Sequence, residues 1–189
     1  MTVDEDLVEI ANKLKDTASV AKAGIMAEDY IRLHIVQGKL EPISSVTQQF
    51  RGGKNGKPLQ DTGSLRDSIT SELISENTVS VGTNKIYAPL QNNGGTITAK
   101  KEWLFIPGPR MRYYQRKFGA NPKDVLDGLR SEDFYVYRMG RTIVYRKKSK
   151  QAKPHVAYYL KKSVVIPKRE FFFLTEDEKS TILRECYKL

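Results

Sequence analysis

The sequence predicts an α+β fold: a mixed, largely antiparallel sheet packed by an N-terminal amphipathic helix and a C-terminal helix, with long basic loops. Three observations carry this. Val3, Leu7, Ile10, Leu14, Ala18, Ala21 and Ile25 recur at spacings of three and four, the period of one helix face. Short runs of alternating or β-rich residues at 78–83 and around Met139-Gly140 are bounded by turn signals, as hairpin strands are. Near the end, Thr175 and Glu178 form the S/T-x-x-E pattern that opens a helix, with Ile182, Leu183 and Cys186 behind it at helical spacing.

Taken in order, Thr2 reads as an N-cap, with Asp4, Glu5 and Asp6 in the first turn where the helix dipole favours acids. The apolar stripe extends through Tyr30, Ile31 and Ile35 to Gly38, a natural stop, and Gly24 reads as a bend. Such a helix either contacts a partner or covers its own sheet, and the layer rule favours the sheet. Residues 41–58 form a connector, with Ser44-Ser45 and Val46 placed to start a short helix. The glycine-rich basic run at 51–57 lacks the GxxxxGK[ST] spacing of a phosphate-cradling loop and reads as a surface loop.

The 59–95 stretch organises the rest. Asp61-Thr62-Gly63 is a turn, followed by a short helical pattern with Leu65 and Ile69 on one face and Arg66 and Asp67 outside. Extended chain at 71–74, a turn at Glu76-Asn77 and a strand at 78–83 make a hairpin. Tyr87 reads as core or half-buried, and Pro89 bars a central strand there. Trp103 to Ile106 form a buried strand stopped by Pro107, with Trp103 as an anchor. Asn121-Pro122 starts a short helix carrying Val125, Leu126 and Leu129. The runs at 158–160 and 164–166 return to the sheet, and of Phe171, Phe172 and Phe173 at least one stays outside, because an extended chain alternates its faces.

The DTGSLRDSI block, the hairpin, and then VGTNKIYAPLQNNGG resemble the phage virion morphogenesis (tail-completion) family. That family carries a DTG-x-LR-x-SI block, a VGTN-x-x-YA block and a Gly-Gly pair shortly after. Its third block, an Ile-Pro segment before an aromatic and an acidic helix, is matched by Val165-Ile166-Pro167-Lys168-Arg169-Glu170-Phe171 and the acids of 176–178. Glu170 stands where the family has a second proline. The resemblance runs from about residue 42 to the C-terminus and is loose over 102–157. It implies one virion-morphogenesis domain over 1–189 with a divergent loop and hairpin insert around 107–157.

The chain carries 32 Lys and Arg against 22 Asp and Glu, for a net charge of +10. That balance suits an acidic partner, either nucleic acid or an acidic protein rim. The sole cysteine, Cys186, excludes an internal disulfide, and no apolar run reaches the roughly 20 residues a membrane span needs. The acidic N-terminus has no signal-peptide pattern, so the host cytoplasm and then the virion are the expected locations. His34 and His155 sit in no HExxH context, no GxSxG is present, and the acids are scattered, so no catalytic residue, cofactor or metal site is expected.

The candidate contact residues lie on three basic stretches. They are Arg51, Lys54 and Lys57; Arg110, Arg112, Tyr113, Tyr114 and Arg116; and Lys147, Lys148 and Lys150. The middle stretch interleaves bases with aromatic rings. That composition suits stacking and phosphate contacts, a protein–protein hot spot, or a loop folded over the sheet. The resemblance implies a non-enzymatic assembly protein acting in tail completion or at the head–tail junction. It would be a ring-forming adaptor, hexameric if it follows tail symmetry, that meets other tail or connector proteins. The alternative is a DNA-binding protein using the basic loops.

Overall fold

The computed structural model describes residues 16–51, 56–149 and 151–187. Thr2, the stripe from Val3 to Leu14, Lys54 and Lys150 lie outside the described residues. Among those described, the fold is α+β, with six helices and eight strands. Every strand pairing is antiparallel, and the strands divide among three sheets rather than one mixed sheet. The chain forms two compact units.

The first unit comprises Met1–Glu41, Pro58–Gly94 and Pro167–Leu189. Its helix α1 spans Thr17–Gln37. Asp16 is extended and caps it, its carboxylate accepting from the N–H groups of Ala18 and Ser19 at 3.4 and 3.0 Å. Helix α1 therefore begins after Asp16, and the part of the apolar stripe from Val3 to Leu14 lies outside the described residues. Val20, Gly24, Ala27, Ile31 and Ile35 are the buried face.

Strands β1 (Ile69–Ser75) and β2 (Thr78–Thr83) form the expected hairpin. Register pairs Ile69 with Thr83, Ser71 with Val81 and Leu73 with Val79, so these share the face under α1. Glu28 of the helix accepts from the Ser71 N–H at 2.6 Å and its hydroxyl at 2.9 Å. Gly24 is a close approach rather than a bend: a Cβ there would lie 2.3 Å from Val79 Cγ2.

Ahead of β1, Arg66–Ser68 make a single 3₁₀ turn, and Leu65 and Ile69 are buried on either side of it. Pro89 lies in the first turn of α3, Ala88–Asn93, where its missing N–H costs nothing. Tyr87, expected in or near the core, is instead 42% exposed. At the C-terminus α6 spans Glu176–Tyr187 and buries Ile182 and Cys186 against Ala27 of α1. Burial pushes the Cys186 thiol up, which suits a packed rather than a reactive sulfur. Of the three adjacent rings, Phe171 is buried while Phe172 and Phe173 are exposed.

The second unit comprises Pro42–Lys57 and Gly95–Ile166, a wider stretch than the insert expected at 107–157. Ser44 caps α2, Ser45–Phe50. Strand β3 (Gly95–Thr98) pairs with β8 (Ser163–Ile166). A four-stranded sheet is ordered β4 (Leu104–Pro107), β7 (His155–Lys161), β6 (Thr142–Lys147), β5 (Phe134–Met139). Helices α4 (Met111–Phe118) and α5 (Pro122–Ser131) contribute Met111, Val125, Leu126 and Leu129 to the core, where they meet Tyr145, Ala157 and Tyr158 of the sheet.

One basic stretch expected as a loop is thus a helix. Met111, Tyr114 and Phe118 fall three and four residues apart and turn one face of α4 inward, while the arginines between them lie outside that stripe.

Candidate functional site

In the first unit the DTG block, the second block as far as Gly94 and the third block from Pro167 on are joined by polar contacts. Arg169 is a charged side chain only 7% exposed. Its Nε donates to the Glu41 carbonyl at 2.7 Å and its Nη1 to Gln91 Oε1 at 3.0 Å. Its backbone N–H donates to the Gln91 carbonyl at 3.0 Å. Next to it, Asn92 Oδ1 accepts from the N–H groups of Phe171 and Phe172 at 3.0 and 2.9 Å. The DTG block ties in through Ser68, whose hydroxyl lies 2.7 Å from that of Thr83.

Glu170, in place of the family's proline, points to an exposed ion pair with Lys168 at 2.7 Å. These contacts leave an open cleft of about 440 Å³ between the 83–92 segment and the Phe171-Phe172 turn. Ile86 stands at its edge, 97% exposed.

A second groove, of about 400 Å³, lies in the second unit and gathers the arginine and tyrosine candidates. Arg51, Arg110, Arg112, Tyr113, Tyr114 and Arg116 line it with Phe50 and Pro109. The end of α2 supplies Phe50 and Arg51, and the turn before α4 supplies Pro109 and Arg110. Arg112 reaches over the Phe50 ring, 6.0 Å from its centroid. Arg110 Nη1 donates to His155 Nε2 at 3.1 Å. Burial and the Arg110 charge both hold His155 below its usual range.

Tyr114 anchors the wall. Its ring meets Tyr113, Phe134 and Tyr145 edge to face at 5.1 to 6.1 Å and lies parallel to Phe118. Burial pushes its hydroxyl up, so it stays neutral. The Tyr145 hydroxyl is pushed up further by the same cause.

The remaining candidates lie apart from the groove lining. Lys57 offers its carbonyl to Arg51 Nη1 at 3.0 Å. Lys147 ends β6, and Lys148 pairs with Asp133 at 3.6 Å. Lys148 and Arg146 both lie over the Tyr135 ring, at 5.9 and 5.0 Å. His155 and Phe50 were missed as site residues. A lone histidine three residues before a strand run carries no sequence signal, and Phe50 looks like any connector apolar residue.

No family model, curated protein or solved structure matches this chain. Among the described residues, no group of three or more His, Cys, Asp or Glu is placed to hold a metal ion. No described helix is long and apolar enough to cross a membrane.

Proposed function

We propose that this chain is a non-enzymatic phage structural protein acting in tail completion or at the head–tail junction, as a ring-forming adaptor that terminates or caps the tail. One observation carries the reading. The Ile-Pro block lies far along the chain, yet it folds back on the VGTN block through Arg169, Gln91 and Asn92, while the DTG block joins the VGTN block across the hairpin through Ser68 and Thr83. These contacts support reading the three blocks as parts of one scaffold.

Two features of the unit supply contact surfaces for neighbouring subunits. Among the described residues the β1–β2 sheet has two strands, and each keeps an edge to which a further strand can add. The cleft gathers apolar surface from Ile86, Ala88, Pro89, Phe171 and Phe172, and contiguous apolar surface of this kind suits a protein contact. Heterologous contacts of this kind close into rings when their rotation permits.

The deciding experiment is deletion of the gene from the phage that carries it, with electron microscopy of the lysate. The expected result is unjoined heads and tails, or tails of irregular length, with infectivity restored by protein supplied in trans. Intact infectious particles would overturn the reading. Light scattering after gel filtration then places ring closure. A multiple of 21.5 kDa that survives high salt assigns closure to the chain itself, and a monomer assigns it to the partner.

A further inference from the structure

The net charge of +10 conceals a division. By sequence, the second unit holds 20 of the 32 Lys and Arg but 5 of the 22 Asp and Glu, a net of +15. The first unit holds the remaining 12 and 17, a net of −5. A charge asymmetry of this size between parts of one chain points to a polyanion at the basic part.

Within that unit, the groove at α4 has the chemistry such a ligand needs. Four of its eight lining residues are arginines and none is an acid. Of the five carboxylates in this unit, three pair with bases that do not line the groove: Glu132 with Lys117, Asp133 with Lys148, and Asp127 with Arg130. Arg112 and Arg116 are four apart on one helix and so lie side by side on one face of it, where both can reach the same strand of phosphates. Arg110 is held by His155, so one guanidinium is oriented before any ligand arrives.

The aromatic component decides which anion. Tyr113 is 63% exposed beside these arginines, and its edge-to-face contact with the buttressed Tyr114 holds its ring in place. An acidic protein rim answers the guanidinium groups by charge and can pack on that ring, whereas a strand with unpaired bases supplies phosphates for the guanidinium groups and a stacking π-face for the ring at the same time. The Tyr135 ring, with Arg146 and Lys148 over it, repeats the same pairing of cation and aromatic on the sheet of this unit.

We propose that this groove binds single-stranded nucleic acid, with Arg51, Arg110, Arg112 and Arg116 on backbone phosphates and Tyr113 stacked on a base. The proposal does not depend on the virion reading.

The test is fluorescence anisotropy with the full chain and a labelled oligodeoxythymidylate of about 20 nucleotides, longer than a typical single-strand site. A duplex of the same length and poly-glutamate serve as competitors across a salt series. The strand should bind more tightly than either, with log K falling by about 0.7 per log unit of salt for each phosphate engaged. Arg112→Ala with Arg116→Ala should weaken binding on the order of tenfold or more and flatten the slope by about 1.4, the share of two phosphates. Tyr113→Ala should weaken the strand roughly tenfold and leave the duplex unchanged.

Absence of strand binding at low salt would overturn the proposal, as would an unaltered affinity in the arginine variant. Displacement by poly-glutamate at equal charge would assign the groove to an acidic protein instead. The ranking of strand, duplex and poly-glutamate uses the wild-type chain, so it decides even where a variant fails to fold.

Discussion

Arg110 donates to His155 Nε2 at 3.1 Å, and that contact requires a neutral imidazole, because a protonated ring has no lone pair left to accept. Burial, and then the Arg110 charge, hold His155 below the ordinary value of 6.5. The sign follows directly: the unfolded chain takes up the proton first, so the neutral ring's contribution is complete above about pH 6.5 and is lost as pH falls through the lower folded value. Histidine NMR titration should place His155 on the acid side of a model peptide. Arg110→Gln should move it upward, since one of its two depressing causes is removed. A His155 resonance that titrates identically in both proteins would show that Arg110 does not act on the ring.

Arg169 predicts a stability effect without an activity assay. Its guanidinium fork spans Glu41 and Gln91, and burial leaves little water to replace those bonds. Arg169→Ala should cost about 2–4 kcal/mol, because it strands two acceptors as well as removing a charge-assisted pair of bonds. Arg169→Lys should recover only part of this, since an ammonium cannot reproduce the planar fork. Urea denaturation of the three proteins decides it, and equal midpoints would remove Arg169 from the scaffold.

Two glycines predict different failures. Gly63 has φ +78°, so Gly63→Val forces a β-branched residue into the left-handed region at a cost of roughly 1–3 kcal/mol, read as a lowered melting temperature. Gly24 has no such backbone demand, and its constraint is space. Gly24→Ala would press a methyl group into Val79 and should destabilise by about 1–3 kcal/mol. Val79→Ala should relieve much of that in the double variant, whereas it cannot rescue Gly63→Val. Purely additive losses at 24 and 79 would contradict the close approach.

These glycines also mark what was legible in the sequence. Gly63 was readable as a turn because Asp61 and Thr62 precede it. Gly24 was misread as a bend because its reason lies 55 residues away on β2, and one sequence carries no contacts. The hairpins, the α5 stripe and the capping box were readable because each is set by neighbours within a few residues. Helix α4 was not. Its inward face is only Met111, Tyr114 and Phe118, and the outward Tyr113 breaks the contrast between polar and apolar faces. The basic groove was partly visible, since five of its eight lining residues are successive candidates at 110–116. That Arg51 joins them follows from chain packing across some sixty residues, which no local pattern encodes.

The last prediction concerns the start of α6, where Glu178 serves two partners. One carboxylate oxygen accepts from the Thr175 N–H at 2.7 Å and closes the capping box, while the Thr175 hydroxyl accepts from the Glu178 N–H at 3.2 Å. The other lies 2.8 Å from His34 Nε2, beneath the ring that stacks on Phe173. Burial alone would raise this carboxyl, but the bonds from Thr175 and His34 outweigh it and hold the group below its ordinary 4.5. The unfolded chain therefore binds the proton first. The stabilisation is complete above about pH 4.5 and fades as pH falls through the lower folded value. Glu178→Gln retains an acceptor for the Thr175 N–H and loses the charge. It should lower the melting temperature at pH 7 and flatten the acid limb of the curve, so that the two proteins converge once the pH is below the lowered folded value. Thr175→Ala should instead cost about 1 kcal/mol at every pH, because a cap hydroxyl does not titrate. Parallel curves for Glu178→Gln and wild type from pH 7 to pH 3 would show that the carboxylate contributes nothing to stability through its charge.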